Sequence, residues 1–380
     1  MSEFTPEDFT DPDDTILRTT PLDALHRRLG ATMMAFAGYD MPVHYPANVL
    51  AEHLHCRSQA SLFDVSHMGQ ISLRGDAAAK ALETLVPGDI TGIAPGRQRY
   101  TLFLDEAGGI LDDLMVARYP GRLLLVVNAS RKQADIEHLR NRIPAIEAVP
   151  HDRALLALQG PAAATVLARM APEAAALAFM GAAEITLAGI TAWISRSGYS
   201  GEDGFEISLP ADQAEAFAER LLAEPEVAMA GLGARDSLRL EAGLCLYGAD
   251  LDALTTPIEA NLAWTIPARR RASLDFPGAV PIRDQLLNGP TRLRMGIRPD
   301  GRAPARGGTV LTAPDGTAAG IITSGGYGPT VSAPIAMAYV RRDLAVIGQP
   351  LEMMVRDKLL PAHVAALPFV AHRYAKGQPA

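Results

Sequence analysis

Along this chain, short apolar segments alternate with turns marked by glycine, proline and charged residues. Tyr100-Thr101-Leu102-Phe103-Leu104 and Ile110-Leu111-Asp112-Asp113-Leu114-Met115-Val116 flank the turn Asp105-Glu106-Ala107-Gly108-Gly109, a pattern that predicts a β-hairpin. Arg122-Leu123-Leu124-Leu125-Val126-Val127-Asn128 reads as a buried strand. It runs into Ser130-Arg131-Lys132-Gln133, a capping-box pattern, and a helix with Ile136, Leu139 and Ile143 inward. The spacing predicts further helices over 23–29, 48–60, 161–170, 212–223 and 234–242, and strands over 154–158, 190–196 and 205–209. From Thr291 the texture changes: Leu293–Ile297, Thr309–Leu311, Ala319–Thr323, Ile335–Val340 and Leu351–Val355 are short apolar runs separated by glycine and proline. That spacing predicts a small β-barrel or sandwich beyond a boundary near residue 290.

A chain of 380 residues has room for two or three domains. Hydrophobic residues at 48% and charged residues at 21% are ordinary for a soluble globular protein. A net charge of -8 argues against a nucleic-acid or acidic-membrane surface. Two distant cysteines, Cys56 and Cys245, give neither a disulfide framework nor a CxxC motif, so a reducing, cytoplasmic setting is expected. No apolar run has the length of a membrane-spanning helix. Met1 to Asp14 carries six acidic and no basic residues and is expected to be a disordered tail, unlike a transit peptide.

The aspartate pair is the most informative local feature. Side chains alternate faces along a strand, so Asp112 joins Ile110, Leu114 and Val116, while Asp113 joins Leu111 and Met115. Both faces are otherwise apolar. One reading is an edge strand with one aspartate in water and the other capping a turn. The other is a buried carboxylate with a specific partner or chemical task. Asn128, at a strand-to-helix junction, holds a position that commonly faces a ligand. Gly198-Tyr199-Ser200-Gly201-Glu202-Asp203-Gly204-Phe205-Glu206 gathers acids and a tyrosine around glycines, which let backbone approach a ligand closely. Its alternative is a turn with solvated acids. Arg235 and Arg239 stand one helical turn apart and are able to meet one anion, or else form a surface salt-bridge face. Arg269-Arg270-Arg271 is read as a solvated loop or a docking patch. Glu52-His53-Leu54-His55-Cys56 has the wrong spacing for one metal from a helix, so no metal is expected. Gly231-Leu232-Gly233-Ala234-Arg235-Asp236 misses the dinucleotide fingerprint, with Asp last and no strand expected before it.

Taken together, these segments resemble the aminomethyltransferases, the tetrahydrofolate-dependent T proteins of the glycine cleavage system. The matching stretches include Phe36–Pro42, Ser61–Met68, Gly108–Val116, Gly198–Glu206, Ala234–Gly248, Thr255–Ala260, Phe276–Ala279, Ile322–Gly325 and Pro368–Val370. Departures are small: Ser200 stands where threonine is usual, and Gly328 where serine is common. The resemblance implies an α+β fold. It is a three-domain ring, or cloverleaf, of two interleaved α/β subdomains and a C-terminal β-barrel, with the folate in the central hole. It further implies a folate-binding region over 15–290, with breaks near 71, 152 and 250, and a barrel over 291–380. The implied reaction moves the methylene of an aminomethyl group from the lipoyl arm of a carrier (H) protein to tetrahydrofolate, with release of ammonia. Tetrahydrofolate is then a co-substrate, with no metal. The resemblance puts the catalytic role on Asp113 and folate contacts on Tyr100, Asn128, Tyr199, Glu206, Arg235 and Tyr374. Two alternatives stay open. One is another folate-dependent demethylase on the same fold. The other is a non-catalytic folate-binding iron–sulfur assembly factor, whose Lys-Gly-Cys signature Gly243-Leu244-Cys245-Leu246 lacks.

Overall fold

The computed structural model describes residues 16–375, so the tail expected over 1–14 lies outside the described residues. Two sheets carry the first three quarters of the chain. One has the strand order Ala182–Leu187, Ile190–Ser195, Gly204–Pro210, Arg153–Gln159, Ala60–Asp64, Val227–Met229. The other has the order Gln98–Leu104, Ile110–Tyr119, Arg122–Val127, Gly69–Arg74, Glu147–Pro150. Ala60–Asp64 pairs inside a sheet otherwise built from residues beyond 150, so the two sheets are interleaved in sequence. Arg292–Pro299, Val310–Thr312, Ala318–Gly328, Ala333–Arg341, Pro350–Val355 and Lys358–Ala365 close into a six-stranded barrel. Closure leaves no unpaired edge.

Each sheet buries its outer face under helices. Leu156, Leu158, Ile194 and Ile207 pack with Val166, Leu167, Phe217 and Leu221 on one side. Ile71, Leu114, Val116 and Leu125 pack with Leu82, Ile136 and Leu139 on the other. The inner faces approach each other through Ala117, Tyr119, Leu124 and Ala182, against which Trp193 packs. A third core forms where residues 245–286 fold over the hairpin, joining Leu102, Leu104 and Ile110 to Leu251, Ile258, Phe276 and Ile282.

The apolar patterns located most elements, and their departures have local causes. The helix expected over 48–60 is Asn48–Ser58, because Ala60 is taken into the sheet beside Val227. The capping box at Ser130 does not form. Ala129–Arg131 makes a 3-10 turn, Lys132–Arg142 follows it without a side-chain cap, and Gln133 bonds Glu137. The helix expected from Pro161 starts at Ala163. A strand that was not expected, Val227–Met229, does precede Gly231. The glycines there serve packing: a Cβ on Gly231 would lie 2.3 Å from the Val43 carbonyl oxygen, and one on Gly233 2.6 Å from the Val49 side chain. The last barrel strand, Lys358–Ala365, escaped the pattern because Lys358, Pro361 and His363 interrupt its apolar run.

Candidate active site

The hairpin turn is built by Asp105, whose Oδ1 accepts the backbone N–H groups of Ala107 at 2.9 Å and Gly109 at 2.8 Å. Glycine is required at 109, where a Cβ would sit 1.9 Å from the Ala253 carbonyl oxygen. The turn thus docks residues 245–286 against the hairpin and sets which strand face meets which core. Asp112 faces the covered side and is fully buried. Asp113 is half-buried on the inner face, two residues before Met115. Tyr100 is not directly across from Asp113: Leu102 holds that position and Tyr100 pairs with Met115. It lies on the diagonal of the same face, and its hydroxyl donates to Asp113 Oδ2 at 2.9 Å.

Asn128 ties the pair together. Its Nδ2 donates to Asp112 Oδ1 at 2.8 Å and to Asp113 Oδ1 at 2.7 Å, and its backbone N–H donates to Asp112 Oδ2 at 3.1 Å. Asp112 therefore anchors the strand-to-helix junction rather than the hairpin turn. Burial first, and second the charge of the neighbouring Asp112 wherever that group is ionised, push Asp113 up to about 7, against the lowering bonds from Tyr100 and Asn128. Burial together with Asp135 pushes Asp112 well above the carboxylate range.

Met115 and Glu206 line opposite walls of a narrow gap between the two sheets, with Gln98, Tyr119, Trp193 and Ser208. Glu206 is half-buried on Gly204–Pro210 and accepts the Ser197 hydroxyl at 2.8 Å. Tyr199 donates its hydroxyl to the Cys245 carbonyl, which reaches it from the segment folded over the hairpin. Arg235 lies 4.7 Å above the Tyr199 ring, held as a cation–π pair, and feels the charge of Glu206. Its presumed companion is elsewhere: Arg239 is buried and bonded to Asp236, Asp250 and Ser324. Tyr374 stacks at 4.3 Å on Phe179 and leans on His372, outside the hydrogen-bonded group around Asp113.

The glycine-rich loop is not a solvated turn, and two of its glycines make room for protein. It wraps the side chain of Gln159, which would lie 1.7 Å from a Cβ on Gly198 and 2.5 Å from one on Gly204. Glu202 is buried against Arg57 and Arg373, and Asp203 pairs with Arg196. Of the loop's acids, Glu206 alone lines the gap. The triple arginine is likewise consumed internally. Arg269 binds Glu83 and Asp89, and Arg270 is buried against Asp275 and the carbonyls of Glu83 and Val86. Arg271 binds the carbonyls of Ala263 and Ile266. His53 and His55 answer to different groups, His53 to Ser237, Glu241 and Thr330, His55 to the carbonyls of Ala60 and Glu226.

Two residues at the site escaped the sequence reading. Trp264, 63% exposed, stacks on Tyr100 at 5.6 Å. Asp135 is buried on the inward face of its helix, four residues before Leu139, and that register was its one available signal.

Two family models match the chain: the GCVT N-terminal domain over residues 22–270 and the glycine cleavage T-protein C-terminal barrel domain over 292–371. The chain is 44% identical to the mitochondrial aminomethyltransferase of Canis lupus familiaris, covering 94% of this chain and 91% of that protein. It is 41% identical to the one from Dictyostelium discoideum, covering 95% and 94%. The crystal structure of the glycine cleavage system aminomethyltransferase T from Bartonella henselae superposes with a TM-score of 0.90. It is 44% identical, over 95% of this chain and 100% of that one.

Proposed function

Because the chain belongs to the glycine cleavage T-protein family, the aminomethyltransferases, we propose how its own residues divide the work of that transfer. The protein is a transferase of glycine catabolism that uses tetrahydrofolate as a substrate. The reaction passes a methylene from an aminomethyl group to tetrahydrofolate, gives 5,10-methylenetetrahydrofolate and releases ammonia. In our reading the donor is the lipoyl arm of a carrier protein, which keeps the sulfur as a thiol.

The observation that carries the assignment is the hydrogen-bonded junction of Asp113, Tyr100 and Asn128, on the strand face of Met115, which lines a gap whose other wall presents Glu206. A pterin edge offers adjacent N–H donors, and an ionised carboxylate accepts two such bonds. Glu206 fits that role. Tyr100 and Tyr199 offer ring faces, and Arg235 offers a cation with no carboxylate bonded to it among the described residues. Asp113 faces the reacting carbon. As a carboxylate it stabilises the positive charge that develops there and accepts a proton from the attacking nitrogen. Tyr374 belongs in this reading to the outer end of the folate, beyond the group that holds Asp113.

We further propose a cytoplasmic location, supported by two free, buried cysteines that suit a reducing compartment. Among the described residues no helix is long and apolar enough to cross a membrane.

The test supplies aminomethylated, lipoylated carrier protein with tetrahydrofolate and follows ammonia and methylene-tetrahydrofolate. Both products should appear in equal amounts. No ammonia above a carrier-only control overturns the reading. The same assay predicts a pH dependence. Since Asp113 acts ionised and its proton affinity is raised to about 7, the rate should fall as pH drops through that region. A rate flat from pH 8 to about 5.5 would exclude Asp113 as the group that must be ionised.

A further inference from the structure

Three carboxyl groups stand in a row behind the site: Asp135 on Lys132–Arg142, then Asp112, then Asp113. Asp112 is fully buried and Asp135 nearly so, at 2% exposure. Their carboxyls lie within hydrogen-bonding reach of each other. Two carboxyls make such a bond only when one carries a proton. Asp135 Oδ2 has no N–H or O–H donor among the described residues, which leaves that proton as its partner. On the other flank, the Asn128 amide spans Asp112 and Asp113.

The charges around the row are unequal. Arg131, from the 3-10 turn, acts on Asp135, and its Nε is buried without an acceptor. Tyr247 faces the row from the segment over the hairpin, with Asp252 acting on Tyr247. Tyr247 donates to the Ile110 carbonyl, and Tyr100 donates to Asp113. His138, on the same helix as Asp135, turns instead to the Phe103 ring.

We propose that one proton resides on Asp112, shared with Asp135, and that Asp135 is thereby a positioning residue that keeps negative charge away from Asp113. This rests on the reading of Asp113 as the reacting carboxylate. Of three carboxyls in a row, the middle one borders both others, so a proton there relieves two repulsions at once. The charge left behind sits on Asp135, beside Arg131. A neutral Asp112 still accepts both N–H bonds of Asn128 and keeps the amide aimed at Asp113. The proton affinities agree in direction. Asp112 is pushed well above the carboxylate range, while Asp135 rises only to about 6.

Asparagine at 135 carries no charge and donates an amide N–H, so it favours an ionised Asp112 next to Asp113. Asp135→Asn should therefore move the acid limb of the transfer rate upward by about one pH unit, with tetrahydrofolate affinity unchanged. In an Asp112→Asn background the same change should no longer move the limb. Independently of activity, the infrared spectrum of the wild-type protein at pH 8 should contain a buried protonated-carboxyl band that Asp112→Asn removes. An unmoved limb in Asp135→Asn, or the same movement in the Asp112→Asn background, makes Asp135 merely structural and overturns the proposal. Absence of the band overturns it as well, whether or not the variants fold. A band present in a protein that releases no ammonia keeps the shared proton and defeats the transferase assignment instead.

Discussion

Asp113→Asn should lower turnover by about three orders of magnitude while tetrahydrofolate affinity changes only a few-fold. Asparagine keeps the size of the side chain: its amide oxygen accepts from Asn128 in place of Oδ1, and its amide N–H takes the place of Oδ2, where the Tyr100 hydroxyl turns to accept. Two things are lost: the negative charge opposite the developing cation and the base for the attacking nitrogen. The loss should fall on kcat rather than on binding, since both interactions strengthen only in the transition state. Rapid-quench measurement of methylene-tetrahydrofolate, with equilibrium folate binding followed by Trp264 and Trp193 fluorescence, separates the two. Near-normal turnover in this variant would mean that the chemistry belongs to another residue.

The largest effect on stability is expected from Arg57→Met. Arg57 is buried between Glu202 and Glu241, at 2.7 and 2.8 Å, and also donates to the Ser200 carbonyl. Among the described residues, removing it leaves Glu202 with Arg373, and Glu241 with His53 and the backbone N–H groups of Thr330 and Val331. Breaking one partner of a buried ion pair costs about 3–5 kcal/mol, because the remaining charge is uncompensated. Denaturant unfolding should show a loss of that size, and a loss below about 1 kcal/mol would show that water or a rearranged Arg373 restores the pair. The sign of the pH dependence follows from Glu241. Burial raises its proton affinity, but His53 and Arg57 outweigh it and hold the group at about 2. This contribution is complete above the unfolded value near 4.5 and disappears as pH falls toward 2. Arg57→Met should flatten that acid dependence.

The site was unevenly legible. Alternation along 110–116 was enough to send Asp112 and Asp113 to opposite faces, since strand geometry leaves no other choice. Glu206 was legible for a similar reason, as a carboxylate inside an apolar strand. The glycine-rich loop was harder to read, because glycine reports only that something comes close. At Gly198 and Gly204 the approaching group is the Gln159 side chain. The arginine run was hard to read for the opposite reason: its charges read as solvated or available, yet Arg269 and Arg270 have partners far along the chain, at Glu83, Val86 and Asp89.

By itself, then, the sequence determined the local elements, the change to a barrel after residue 290 and the family, because these depend on short-range periodicity and on ordered motifs. Only the tertiary structure decided that Ala60–Asp64 crosses into the sheet of residues 153–229, and that Asp135 reaches Asp112. It also paired Tyr100 with Asp113 on the diagonal. Those are contacts between residues separated along the chain, selected by which apolar faces bury each other, and no local pattern carries that information.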